Sequence, residues 1–345
     1  MDTPHHASRN AIGPESRELL AEFVAQADMA ATTIAKYDAQ LREFARWLQH
    51  PRSRLIGDDD PRALAAATPR DVARFLAYLR STDRYAATWT ITRRSPLSAS
   101  ARKSHVASLR AFYGYLLRVR VIDNDPTFGI KTPKVRPAPG LRLTREELER
   151  LLTAPGTARE RIQTFLLVFT AARAGALRDL RWDDIDFPGR TLVLRTKNGK
   201  HHSVGIHPRL MSELRRWYVH QSHTATKNPD LAAALDDPAT AFVLLSRTGR
   251  QLAPGAIAKQ LKRRANTAGL YVLDSAHGEK RSLVSPHAIR RSIATELLND
   301  GVPLDAVADL LAHEHVDTTR RHYAFANDTR RRATIDAILR HDAAA

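Results

Sequence analysis

The stretch SPHAIRRSIATELLNDGVPLDAVADLLAHEHVDTTRRHYAF, residues 285–325, is the most informative in the chain. Ser285 followed by Pro286 marks a helix start: an oxygen to cap free N–H groups, then a residue with no N–H to lose. Asn299-Asp300-Gly301 ends the same helix, because glycine adopts the left-handed conformation that closes a helix. Ile289, Ile293 and Leu297 recur every four residues and predict its buried stripe. His287 and Arg290, three residues apart, share one face displaced from that stripe. Two cationic donors on one helical face suit a phosphate, although an ordinary solvated face presents the same pair.

Upstream, the order of elements is legible. Thr144 with Glu147 three residues on is a capping box, and the apolar run Phe165-Leu166-Leu167-Val168-Phe169 predicts a buried helix. Arg173 follows that helix within FTAARAGALRDLRWDDID. TLVLRT (191–196) and HHSVGI (201–206) read as two strands joined at Lys197-Asn198-Gly199-Lys200, with Asn-Gly as the hairpin signal. AFVLLS (241–246) reads as a further strand, and helices are expected over most of 254–341.

The first 130 residues differ in character. Residues 1–14 read as loosely attached. Ile34, Tyr37, Leu41, Phe44 and Trp47 form one helical stripe, and Thr68-Pro69 starts a helix that buries Val72, Phe75, Leu76 and Leu79. Residues 81–96 read as a loop. A long helix from about Ser98 to Arg118 turns Val106, Leu109, Tyr113, Leu116 and Leu117 inward. Its other faces carry Arg102, Lys103, His105, Arg110 and Arg118, with Arg120 just beyond. The segment KTPKVRPAPGLR (131–142) has three prolines, four basic residues and no acid, which is the composition of a linker.

Composition narrows the function classes. In 345 residues, 54 Lys+Arg exceed 37 Asp+Glu, a formal net charge of +17 that calls for an acidic partner such as nucleic acid. The absence of cysteine excludes disulfides, thiolate zinc sites and cysteine nucleophiles. No apolar run is long enough to span a bilayer and no secretory pattern opens the chain, so a soluble intracellular protein is expected. No GxGxxG or GxxxxGK[ST] points to a nucleotide. The clusters His313-Glu314-His315, His201-His202 and Asp183-Asp184-Asp186 lack the converging ligands of a metal site, and no metal or other cofactor is expected.

The ordered set Arg173, Lys197, His287-x-x-Arg290, His313 and Tyr323 resembles the tyrosine recombinase family, the phage integrases and Xer-type recombinases. The resemblance spans nearly the whole chain: residues 30–126 resemble the family's helical core-binding domain and 142–341 its catalytic domain. It implies a mainly α fold with a small antiparallel β-sheet in the catalytic domain. It also implies a two-domain DNA clamp: a SAM-like core-binding domain (15–128), a linker (129–142) and a catalytic domain with a tail helix (143–341). The implied activity is site-specific recombination or integration through a 3′-phosphotyrosyl intermediate, without ATP or metal. Tyr323 is the implied nucleophile, Arg173 and Arg290 the phosphate-binding cations, and His287 and His313 phosphate contacts that assist proton transfer. Lys197 is the implied general acid, with Lys200 its rival on the same turn. The implied partner is double-stranded DNA with paired inverted half-sites, held by a homotetramer in the cytoplasm at the nucleoid. The tail stripe Ile335, Ile338 and Leu339 then docks on a neighbouring subunit or on its own domain.

Three departures stand out. Thr170-Ala171-Ala172-Arg173 replaces the family's Thr-Gly-Leu-Arg, Ala176 replaces an acidic residue, and Leu311-Ala312-His313 replaces Leu-Gly-His. Ten residues separate His313 from Tyr323 where the Xer pattern has nine, which puts His322 at the nine-residue position. Loss of backbone freedom and of a carboxylate opens an alternative, a catalytically inactive or attenuated DNA-binding relative.

Overall fold

The computed structural model describes residues 12–49, 62–81, 84–85, 91–93, 96–135, 141–195, 201–273 and 280–312. It divides into two compact units, Met1–Ala138 and Pro139–Ala345. Among the described residues, no helix is long and apolar enough to cross a membrane.

The first unit is built from α1 (Pro14–Gln26), α2 (Ala31–Gln49), a 3₁₀ turn (Leu64–Ala66), α3 (Pro69–Tyr78) and α4 (Ala99–Arg118). Apolar residues spaced for one helical face meet in a single core that includes Leu20, Leu41, Phe44, Phe75 and Phe112. Aromatic rings fill its centre, with Phe44 and Phe75 4.8 Å apart and Phe23 edge-on to Phe112 at 5.5 Å. The 3₁₀ turn is tied in on both sides: Ser16 Oγ accepts from Leu64 N at 3.0 Å, and Tyr113 donates its hydroxyl to Leu64 O at 2.9 Å. Thr68 and Asp71 cap α3 reciprocally, as the Thr-Pro start predicts.

Four expectations for this unit need correction. Ile12 is buried in the core and Gly13 N donates to Gln49 Oε1, so these residues are attached rather than loose. Residues 84–85 and 91–93 form a two-stranded antiparallel ladder, β1 (Arg84–Tyr85) and β2 (Ile91–Arg93), too short to leave a periodic signal. His105 is buried instead of outward: Nδ1 lies 3.0 Å from Ala101 O and Nε2 3.2 Å from Glu43 Oε2. Leu117 faces solvent, because α4 presents Phe112, Tyr115 and Leu116 to the core and rotates Leu117 off that stripe.

The second unit contains α5 (Arg145–Thr153), α6 (Ala158–Thr170), α7 (Ala174–Arg178), α8 (Pro208–Ala225), α9 (Pro229–Leu235), α10 (Ala256–Thr267), α11 (Pro286–Asn299) and α12 (Leu304–Leu310). A three-stranded antiparallel sheet has the order β3 (Ile185–Asp186), β4 (Thr191–Arg195), β5 (His201–Gly205), and β6 (Val272–Leu273) pairs with β7 (Lys280–Arg281). The hairpin register sets Leu192 opposite Val204 and Leu194 opposite His202. The fold is thus mainly α with a small antiparallel sheet.

α6 is the central post. Ile162, Phe165, Leu166, Leu167 and Val168 are all buried in one core with residues of α5, α8, α10 and α11. Thr144 caps α5 with the predicted partner Glu147, and Thr157 caps α6 in the same way with Glu160. The buried Arg264 donates from Nε to Leu151 O at 2.9 Å and from NH2 to Leu152 O at 2.8 Å, satisfying carbonyls that the end of α5 leaves open.

Residues 241–246 are not a strand. The segment makes only two isolated bridges, Arg181 to Phe242 and Leu245 to Gln251. Ala241, Val243, Leu244 and Leu245 are nevertheless buried, so the apolar run fills core space in an irregular path. Trp217 Nε1 and Gln221 Nε2 both donate to Val243 O at 2.7 and 3.3 Å, which replaces a ladder. β3, β6 and β7 are two residues each and escape pattern reading.

Burial opposes ionisation of Asp71, but hydrogen bonds from Thr68 and Arg62 outweigh it and hold the carboxyl below the usual carboxylate range. A depressed folded-state value contributes stability above the unfolded-state value, about 3.9, and loses it as pH falls through the folded one. Asp71→Asn is expected to destabilise the chain by about 1–2 kcal/mol at pH 7 in urea unfolding. That difference should shrink progressively below about pH 4.

Candidate active site

The site forms where three chain segments meet. Ser285 caps α11 by accepting from Ala288 N at 3.1 Å, so that the helix begins at Pro286 as read from sequence. Ser292 Oγ on the same helix accepts from Leu143 N at 2.7 Å, fixing α11 against the chain entering the unit.

Arg290 on α11 is only 5% exposed. Its NH1 donates to Ala171 O at 2.9 Å, and its NH2 donates to Leu311 O. Both carbonyls stand at helix ends, where the last C=O groups have no intrahelical partner. Ala171 is the C-cap of α6 and Leu311 the C-cap of α12. One planar guanidinium therefore joins two helix termini, a geometry that the point charge of a lysine does not reproduce. A small apolar cluster of Ala171, Ala294, Leu298, Val307 and Leu311 packs around the junction.

Ala171 and Ala312 are both in left-handed backbone conformation, with φ of 49° and 46°. These are the two positions where the family pattern has glycine, and here alanine holds the left-handed bend at both. The strain this imposes on an L-residue is about 1–2 kcal/mol at each position. Thr170 closes the first bend, its Oγ1 donating to Leu166 O at 2.6 Å and accepting from Ala172 N at 3.2 Å.

Arg173 emerges two residues after the first bend, at the N-cap of α7, with its side chain exposed. His287 is exposed on the first turn of α11, its Nε2 3.4 Å from an Arg291 NH2. The face displaced from the apolar stripe that sequence assigns to both His287 and Arg290 is not kept for Arg290: it is buried and points into the junction, whereas His287 is exposed. The predicted stripe also shifts. Ile289 and Leu298 are buried with Ala288 and Ser292, while Ile293 and Leu297 are half-buried. The reason is that α11 is wedged between α6 and α12 and buries more than one face. Ala176 packs against the apolar core.

Lys197, Lys200, His313 and Tyr323 lie outside the described residues, as do Glu314, His315, His322 and the tail stripe Ile335, Ile338 and Leu339. The structure brings together Arg290, the peptide two residues before Arg173, and the end of α12 that leads into His313. One further contact had no sequence signal: His202 on β5 donates from Nε2 to Leu310 O at 3.1 Å. A side-chain bond to a main-chain carbonyl leaves no mark on the partner's identity. Two of the acidic trio are also accounted for. Asp184 accepts from Arg195 NH2 and Arg181 N, and Asp186 accepts from Gly189 N.

Residues 141–330 match the model of the phage integrase family, and residues 17–119 match that of the phage integrase N-terminal SAM-like domain. The chain belongs to this family. It is a site-specific recombinase of the tyrosine class, as the sequence resemblance implied. Tyrosine recombinase XerC of Myxococcus xanthus is 30% identical over 228 residues, 65% of this chain and 71% of that protein. Among solved structures, XerH site-specific recombinase bound to palindromic difH substrate, a post-cleavage complex, aligns with a TM-score of 0.62 at 19% identity, covering 92% of this chain and 84% of that one. A lambda integrase dimer bound to a COC′ core site aligns equally well, at 16% identity over 89% of this chain and 76% of that one. At these identities the structures confirm the recombinase fold, a SAM-like helical domain followed by a catalytic domain.

The two left-handed alanines give a direct test. Ala312→Gly should stabilise the recombinase by about 1 kcal/mol in urea unfolding, because glycine reaches that conformation without strain. Ala308→Gly, in the helical interior of α12, should cost about 1 kcal/mol instead. Equal effects at the two positions would contradict the bend at Ala312.

Proposed function

We propose that this recombinase cuts and rejoins DNA through a covalent link between Tyr323 and a 3′-phosphate. The observation that carries the reading is Arg290, held between the ends of α6 and α12 with Arg173 two residues from one of its partners. Attack on a phosphodiester builds negative charge, and fixed guanidinium groups that meet it are the largest catalytic contribution such a site offers.

The Tyr323 oxygen forms a bond to phosphorus as the bond from phosphorus to the 5′-oxygen breaks. The phenol proton passes to an acceptor, a role that the imidazoles of His287 and His313 suit near neutral pH. Lys197 delivers a proton to the departing 5′-oxygen, with Lys200 the alternative donor. Reversal on another strand's 5′-hydroxyl completes exchange, and the phosphotyrosyl bond conserves the energy of the broken one. Neither ATP nor a metal enters the scheme.

The excess of 17 positive charges supports duplex DNA as the partner. In the full proposal, residues 15–128 and 143–341 clamp the duplex, joined by 129–142, and four protomers act on paired inverted half-sites in the cytoplasm. The tail stripe Ile335, Ile338 and Leu339 is proposed to dock between neighbouring protomers. An attenuated DNA-binding relative is favoured by one observation, the apolar Ala176 where the family has an acid. The kept bends at Ala171 and Ala312 argue for the active form.

Tyr323→Phe is expected to bind its site as the parent protein does and to form no covalent adduct on a nicked suicide substrate. EDTA should leave cleavage by the parent unchanged. Adduct formation by the variant would overturn the nucleophile assignment, and binding without adduct by the parent would favour the attenuated reading.

A further inference from the structure

β5 holds His202 one residue after its start, half-buried and paired with Leu194 of β4. Its Nε2 donates to Leu310 O at 3.1 Å, a contact across 108 residues of chain. Leu310 is the last residue of α12, and the next carbonyl, Leu311 O, is taken by Arg290. Two consecutive helix-end carbonyls are thus held by side chains from two different elements. The left-handed Ala312 follows at once and leads into His313.

The base of the hairpin is pinned on its other strand as well. Arg195, at the end of β4, donates to Asp184 Oδ1 at 3.0 Å. Arg195 faces His201 in the register, so the two tethers leave from adjacent rungs. Between Arg195 and His201 the chain carries Lys197 and Lys200. Arg195–Asp184 ties the hairpin to the turn just before β3, whereas His202 reaches the α11–α12 junction.

We propose that His202 is a positioning residue for DNA cleavage. Its bond to Leu310 sets the distance between the hairpin that carries the general-acid lysine and the helix end that leads into the phosphate site. This rests on the reading of that lysine given above. A bond to an uncharged carbonyl contributes modestly to folding, but a displacement of about 1 Å at a reacting group costs on the order of 100-fold in rate. The effect of losing His202 therefore falls on proton delivery to the leaving group more than on fold or DNA binding. A side-chain amide also carries an N–H donor, so glutamine is the conservative replacement.

The test compares two nicked suicide substrates for the full-length protein, one with the natural 5′-oxygen and one with a 5′-bridging sulfur. Sulfur departs as a thiolate and needs no proton, so a defect in proton delivery disappears on it. His202→Ala should slow covalent-complex formation by about 10- to 100-fold on the oxygen substrate. On the sulfur substrate it should come within about threefold of the parent, with unchanged DNA binding, and His202→Gln should recover most of the oxygen rate. Equal losses of His202→Ala on both substrates, or no loss on either, would overturn the proposal. Lys197→Ala and Lys200→Ala serve as references. If sulfur restores neither, the general-acid reading of the hairpin fails, an outcome separate from the response of His202→Ala.

Discussion

The catalytic unit depends on one guanidinium. Arg290 is buried where α6 and α12 end, and it bonds to a carbonyl from each. Unpaired, those carbonyls and the buried charge would each cost several kcal/mol or force the helices apart. Paired, they lock three distant stretches of sequence into one junction. Arg264 does a related job elsewhere, binding Leu151 O and Leu152 O at the end of α5. In this arginine-rich protein, buried guanidinium groups cap helices, and only part of the positive charge faces outward for DNA.

Two alanine bends flank the junction. Ala171 and Ala312 occupy positions where the family pattern has glycine, yet both remain left-handed. Each bend presents a carbonyl to Arg290 or stands directly beside one that does. Ala171 lies fully within the small apolar cluster around Leu298 and Val307, so its methyl group gains burial that partly offsets the strain. The altered motif is therefore compatible with an intact junction.

Much of this architecture was legible in the sequence, because helix signals act locally. The starts at Thr68, Thr144 and Ser285, the stop at Gly301 and the 191–205 hairpin all follow from capping and turn chemistry. Failures came where tertiary partners decide. Residues 241–246 have a strand's composition but pair with backbone only at isolated bridges, and Val243 O receives side-chain donors. His105 is polar yet buried, because Ala101 O and Glu43 receive its ring. Arg290 stood out as a candidate through the ordered set it forms with Arg173, Lys197, His287, His313 and Tyr323, but its burial did not, since its partners are backbone atoms without sequence identity. The same applies to His202 and Leu310.

The account joins this junction to a single chemical event, and that event leaves a covalent trace. Trypsin cleavage after Arg321 and Arg330 releases the peptide His322–Arg330, which contains Tyr323 as its only tyrosine. Mass spectrometry of the adduct trapped on a nicked suicide substrate locates the modified residue directly. The account predicts a nucleotide joined through its 3′-phosphate to Tyr323 in that peptide. A nucleotide on any other peptide, or one joined through a 5′-phosphate, would contradict it.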